Sequence, residues 1–252
     1  MENIYSDVTI AGAGITGMCA AIAASRQGLK VVLVNDRSVL GGNASSEIGV
    51  AINGAASNGQ GPSVYVREGG IVEELKLSLK YFSGDTLTSA TRNQVFFDAI
   101  YREPNIDLFL NTVIHDVKKE SKKIKCIKGI QLRSEREFAF YSPLFIDCTG
   151  DGIVGYKSGA EFTTGHEGKD EFGESLAPDK LKDYVMGHTP IFFSKDTGKK
   201  IRYIRPSFAY DITKMDFFKN LKNIHLHRTF KRKGKNFYGY WWIEYGGQLD
   251  TI

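Results

Sequence analysis

The sequence predicts an α/β fold: a Rossmann-like parallel sheet carrying an antiparallel β-meander, followed by a partial α+β domain. Three observations predict it. "DVTIAGAGITG" (Asp7 to Gly17) runs an apolar strand into a glycine turn and on into a helix. "KIKCIKGIQLRS" and "REFAFYS" alternate as antiparallel strands do. "FIDCTGDG" (Phe145 to Gly152) repeats the strand-to-glycine turn far downstream.

The elements follow in order. Asp7 to Ala11 is the first short strand. "ITGMCAAIAASRQG" has the alanine content and apolar spacing of a helix, with Gly28 as its stop. "LKVVLVND" is a second strand, apolar on both alternating faces, as expected of a parallel strand covered on both sides. Together they make a βαβ unit. Leu40 to Pro62 is rich in Gly, Ser, Asn and Ala, a composition that could mark a linker. Placed directly after the second strand, it reads as a functional loop. Helical patterning returns at "GGIVEELKLSL" and at "TRNQVFFDAIYREP", where Pro104 lies beyond the stop. "NIDLFLNTVIHDVKKE" reads as one strand running on into another, and the meander spans about residues 113–142. "PLFIDC" is a further buried strand. Beyond Gly155 the chain becomes polar and glycine-punctuated. A helical piece is expected near "DKLKDYVMG", and "TPIFFSKDTGKKIRYIRPSFAYDI" reads as a hairpin turning at "KDTGKK".

Composition narrows the class. The 252 residues suffice for one substantial core, or one domain and part of another. Hydrophobic residues at 42% and charged residues at 25% are ordinary for a globular protein. No apolar run has the length that spans a bilayer, and no basic segment followed by an apolar one marks a secretory signal at the N-terminus. Cys19, Cys126 and Cys148 form no CxxC pair, which argues for a reducing cytoplasm and against a disulfide framework. Cys19 reads as small core packing on the first helix. The net charge of +4 is mild. The basic runs Lys118 to Lys128 and His227 to Lys235 read as a solvated hairpin turn and a solvated loop, because no nucleic-acid-binding module surrounds them. His225 and His227 have no cluster of further ligands, so no metal site is expected.

The glycines carry the chemistry. Gly12, Gly14 and Gly17 form G-x-G-x-x-G between a strand and a helix whose first turn contains Thr16. The first glycine permits the tight turn, the second lets a pyrophosphate approach the backbone, and the third lets the helix pack against the strand. The helix N-terminus adds free N–H groups and a partial positive charge. An acid is expected at the tip of the second strand to hold ribose hydroxyls. Asp36 is the only acid there and takes that role, with Asn35 as a possible substitute; its carboxylate disfavours a 2'-phosphate. A Rossmann unit by itself leaves NAD and FAD open.

The stretch "DRSVLGGNASSE" followed by the distant "CTGDG" resembles flavoproteins related to glutathione reductase. With "GAEF" and "EFGESLAPD", it is similar to the FAD-dependent oxidoreductase family along nearly the whole chain. The resemblance implies FAD as cofactor, an extended dinucleotide touched by both glycine turns. It also implies that Arg37, Gly41, Gly42, Asn43, Ala44 and Ser45 line the flavin side. Thr149, Gly150, Asp151 and Gly152 would form the second contact, and Ile114 would offer its backbone to the adenine. Family members continue well past Ile252, so a C-terminally truncated member is implied.

The expected organisation is a FAD-binding Rossmann-like domain over residues 1–158 and a partial substrate domain over 159–252. The expected activity is hydride transfer between a small-molecule substrate and the flavin, in the cytoplasm, without nucleic-acid or membrane partners. The alternatives are a non-catalytic FAD-binding module and an NAD-linked dehydrogenase. No catalytic base is assigned: His166, Glu167, Glu171 and Glu174 follow the second turn but read as solvated charges.

Overall fold

The computed structural model describes residues 1–52, 69–84, 87–183, 185, 192–195, 197–202, 204–209, 211, 229–231 and 237–240. The chain divides into two units, Met1–Phe162 and Thr163–Ile252.

The first unit is built on a parallel sheet. Its strands are β2 (Val8–Ala11), β3 (Val31–Val34), β4 (Ile106–Phe109) and β8 (Leu144–Asp147), in the spatial order β4-β3-β2-β8. The β2 and β3 registers pair Val8 with Val31 and Ala11 with Val34; on the other side Ala11 pairs with Asp147. A second sheet holds β1 (Glu2–Tyr5), β5 (Thr112–Glu120), β6 (Lys123–Gln131) and β7 (Arg136–Tyr141), ordered β1-β7-β6-β5. The last three form the expected antiparallel meander.

The all-apolar sequence of β3 follows from its two covered faces. Val31 and Leu33 join a core with Ile10, Met18, Ile22, Phe96 and Ile100, on the side of the helices α1 (Ile15–Arg26), α2 (Gly70–Ser83) and α3 (Ser89–Tyr101). Val32 and Val34 point the other way, into a core with Ile114, Ile127, Phe138 and Phe140 of the meander. Period-two side chains require this division, and each fully buried Val or Leu contributes about 1.5–3 kcal/mol. Phe109 closes the second core edge-on against Phe138 and Phe140, with ring centroids 5.1 and 5.0 Å apart.

Two details of the first unit differ from the sequence expectation. The stretch read as one strand running on is β4 and β5, separated at Leu110–Asn111, where Asn111 takes a left-handed φ of 54°. Strand β1 has no counterpart in the sequence reading. It is four mostly exposed residues, and only its parallel ladder with β7 and the stacking of Tyr5 on Tyr141 at 5.1 Å define it.

In the second unit two expectations are corrected. Residues 179–183 form no helix; Lys182 pairs through both backbone groups with His166, an extended bridge that a helix at this point would forbid. The short helix lies instead at α5 (Lys169–Phe172). Strand β9 (Phe192–Lys195) does not pair with the residues after its turn. It pairs with β11 (Phe237–Tyr240), itself flanked by β10 (Thr229–Lys231). The segment after the turn carries Pro206, which lacks an N–H for a ladder. Residues 53–68, much of the glycine-rich loop, and the pair His225 and His227 lie outside the described residues.

Among the described residues no helix is long and apolar enough to cross a membrane, and no group of three metal-ligating side chains occurs. Cys19, Cys126 and Cys148 are free thiols; Cys19 packs against the first core, where burial raises its pKa and Glu74 adds to the rise.

Candidate functional site

The chain runs β2, β3, β4 outward in one direction, then returns through the meander to place β8 on the opposite side of β2. The strand order therefore reverses between β2 and β8. In open α/β sheets ligands bind outside the carboxyl ends of the strands at such a point. Both glycine turns leave the sheet there.

The turns touch each other. The Cys148 amide donates to the Ala11 carbonyl at 2.7 Å, and the Gly12 amide donates to the Val34 carbonyl at 2.7 Å. Gly12 has a φ of +91°, and a Cβ on it would fall onto the Cys148 carbonyl. A Cβ on Gly17 would fall onto the Gly12 carbonyl, so this glycine lets α1 lie close to the turn. Both positions are glycine for reasons internal to the fold.

Gly14 is different. It is the N-cap of α1 with φ −64° and ψ 178°, extended backbone open to any residue. The nearest atom to a Cβ built there is the Gly42 Cα, at an ordinary 3.9 Å. Neither strain nor a neighbour among the described residues calls for glycine at the helix N-terminus. Thr16 is exposed in the first turn of α1, and that turn contains no acid. A helix N-terminus with free N–H groups and no acid in its first turn has the chemistry that suits an anion.

A third segment closes on the same turn. The Gly41 amide donates to the Ala13 carbonyl at 2.8 Å, and Gly14 and Gly41 form a parallel bridge. Gly41 is left-handed, and its Cα faces the Phe96 ring, which a Cβ would meet at 2.5 Å. Beyond it the loop is bonded to itself. Ala44 and Ser45 amides donate to Gly41 and Gly42 carbonyls, and Val50 and Gly49 amides to Asn43 and Ser45 carbonyls, all at 2.8–2.9 Å. Asn43 is exposed, whereas Ala44 and Ser45 are buried. Arg37 is exposed and paired with Glu47 at 2.9 Å.

At the strand tip the two ribose candidates part company. Asn35 is buried; its Oδ1 accepts from the Ala13 amide at 3.0 Å, and its Nδ2 donates to the Arg37 and Val39 carbonyls at 3.1 and 2.9 Å. Its amide is used in tying the strand tip to the glycine turn. Asp36 is exposed. Ile114 is buried on β5, whose Thr112 amide donates to the Asn35 carbonyl at 2.8 Å, so the meander meets this tip.

The second turn is organised by Asp147, a residue the sequence reading quoted without a role. Its carboxylate accepts from the Thr149 amide and hydroxyl at 3.1 and 2.7 Å, and from the Val154 and Gly155 amides at 2.8 and 3.0 Å. Partial burial favours the neutral acid, but the bonds from Gly155, Thr149 and Val154 together outweigh it and hold the pKa below the ordinary value. The signal was present in sequence, as an acid two residues before a threonine, the spacing of an Asx-turn. Gly150 and Gly152 have φ of +85° and +66° with no atom of the described residues within 4 Å of an added Cβ, and Asp151 is exposed. Thr149 also accepts from the Ile153 amide at 3.1 Å, at the start of α4 (Ile153–Ser158).

No catalytic base is assigned among the charged residues after the second turn. His166, Glu171 and Glu174 are exposed and Glu167 is half-buried, all in the second unit.

A glycine-turn helix, a strand-tip contact and a second turn across a strand-order reversal define a Rossmann-type dinucleotide-binding protein. The particular family follows from comparison: the chain belongs to the FAD dependent oxidoreductase family, whose model matches residues 7–251. The cofactor expected from the paired turns, FAD, is that family's cofactor. No curated protein matches. Among solved structures, L-proline dehydrogenase from P. horikoshii is 18% identical, with 59% of this chain and 23% of that one covered and a TM-score of 0.36. Mycobacterium smegmatis Sdh1, in complex with UQ1, is 16% identical, with 58% and 34% covered and a TM-score of 0.40. The p-nitrophenol 4-monooxygenase PnpA from Pseudomonas putida DLL-E4 is 14% identical, with 65% and 44% covered and a TM-score of 0.40. The matches span less than half of each of these proteins.

Proposed function

We propose that this chain binds FAD in the groove between the β2 and β8 turns and serves an oxidoreductase that exchanges hydride between a small-molecule substrate and the flavin. The observation that carries the reading is Gly14, whose missing side chain is required by nothing among the described residues. In this reading Gly12, Gly14, Thr16 and Gly17 take the pyrophosphate, and Asp36 takes the ribose with Asn35 behind it. Arg37 and the segment Gly41 to Ser45 line the flavin side, Ile114 meets the adenine, and Thr149 to Gly152 form the second contact. Residues 1–158 form the cofactor domain and 159–252 part of the substrate domain.

The chemistry supplied by bound FAD is hydride acceptance and return; the protein binds and orients it. The α1 N-terminus neutralises phosphate charge. The free thiols support a cytoplasmic setting.

The test is an absorbance spectrum of the purified protein beside that of Gly14→Ala. The wild type should be yellow, bleach with dithionite and release FAD by mass. The variant should be colourless while melting at the temperature of the cofactor-free wild type. A wild type that gains no thermal stability from added FAD but gains it from NADH would replace this reading with an NAD-linked one.

A further inference from the structure

Arg92 projects from α3 to the loop that follows Gly41, and nothing in the sequence marks it. Its Nη1 donates to the Ala44 carbonyl at 2.6 Å and to the Val50 carbonyl at 3.2 Å. These two carbonyls lie at opposite ends of the self-bonded segment 43–50, so one guanidinium nitrogen gathers both ends. The Phe96 ring, one helical turn further along α3, packs on Gly41 at the root of the same loop. Helix α3 thus supports the loop at both ends, and Gly41 relays that support to the first glycine turn through its amide bond to Ala13.

We propose that Arg92 is a positioning residue that fixes the loop 41–50 in the form that receives the flavin side of FAD; the inference rests on the FAD reading above. The choice of arginine follows from the geometry. Both bonds come from Nη1, whose two N–H directions are fixed by the planar guanidinium and so can be aimed at two carbonyls at once. A lysine can carry the charge but as a compact point donor. Partial burial makes this cation costly, lowering its pKa, and the two carbonyls offset that cost. Held at both ends by α3 and bonded to itself, the loop keeps little freedom for binding to remove.

FAD titrations of the wild type, Arg92→Lys and Arg92→Met are combined with hydrogen exchange of the Gly49 and Val50 amides in the cofactor-free proteins. Arg92→Met should raise the FAD Kd by tenfold or more, alter the flavin absorption envelope and speed exchange at both amides. Arg92→Lys should recover part of each effect. If Arg92→Met does not fold, the lysine variant alone must show faster exchange and a Kd raised several-fold. Unchanged Kd, spectrum and exchange in a variant whose wild type binds FAD would overturn this role alone. A wild type that binds no FAD would overturn the FAD reading and this role with it.

Discussion

The two glycine turns leave neighbouring strands of one sheet, yet they are stabilised by opposite means. The first is held by close approach of backbone to backbone. Gly12 lies against the Cys148 carbonyl, Gly17 against the Gly12 carbonyl, and Gly42 against Gly14. The second is held by side chains, the Asp147 carboxylate with the Thr149 hydroxyl, around glycines whose missing Cβ atoms would meet nothing among the described residues. At the close contacts of the first turn, Gly12 and Gly17, no added atom fits, whereas Gly150 and Gly152 have room around them but a left-handed φ that disfavours a side chain, and their turn depends on charge.

The sharpest way to break that comparison is Gly17→Ala. Alanine is favoured over glycine inside a helix by about 1 kcal/mol, so propensity alone argues for stabilisation. The added Cβ would fall on the carbonyl of Gly12, whose own amide is bonded to the Val34 carbonyl of the sheet. Overpacking against atoms that cannot move costs roughly 3 kcal/mol or more, and this term wins. A thermal melt should show loss of much or all of the folded protein. A variant melting at or above the wild-type temperature would mean that the turn yields.

Gly14→Ala in the same turn should do the reverse. Its Cβ has 3.9 Å to the nearest protein atom. The structural cost is limited to the weaker N-cap, under about 1 kcal/mol, while FAD retention should fall below detection because the pyrophosphate loses its closest approach. Two substitutions three residues apart would then separate the part of the motif that serves the fold from the part that serves the ligand.

What could be read beforehand divides along the same line. The alternation of β3, the meander and both turns were legible because each rests on local pattern, apolar period or glycine placement. Arg92 and the task of Asn35 were not. Their bonds join residues 42–48 and 22 positions apart, and a side chain that bonds a distant carbonyl leaves no periodic trace. Strand β1 was missed because parallel pairing with β7, not its own composition, makes it a strand. In the second unit the expected helix and hairpin failed where long-range pairing overrode local propensity.

Asn35 offers the next test. Asn35→Ala leaves the Ala13 amide and the Val39 carbonyl without this partner, while the Arg37 carbonyl keeps its bond from the Asn111 amide. Unpaired buried groups cost about 1–3 kcal/mol, so chemical denaturation should register a loss of that order in the cofactor-free protein. Asp36→Ala, at an exposed position, should leave that stability unchanged and weaken FAD binding by roughly tenfold, the worth of one charged hydrogen bond. Equal effects of the two on stability would remove the distinction between tie and ligand.

The mildest effect belongs to the second turn, and it is a matter of charge. The Asp147 pKa is held below its ordinary value in the folded protein. A depressed acid contributes stability above its unfolded pKa of about 3.9 and loses it as the pH falls through the folded value. FAD retention in the wild type should therefore be flat from neutral pH down to about pH 4 and decline below it. Asp147→Asn removes the charge while keeping the shape. Its amide cannot accept all four bonds, so it should cost on the order of 1 kcal/mol at neutral pH and flatten the acid limb of the profile. The first turn contains no titrating group among the contacts that hold it, so Gly14→Ala should leave that limb in the residual stability of the cofactor-free protein unchanged. An acid limb that persists in Asp147→Asn would assign it to another carboxylate and leave the second turn held by its backbone, as the first one is.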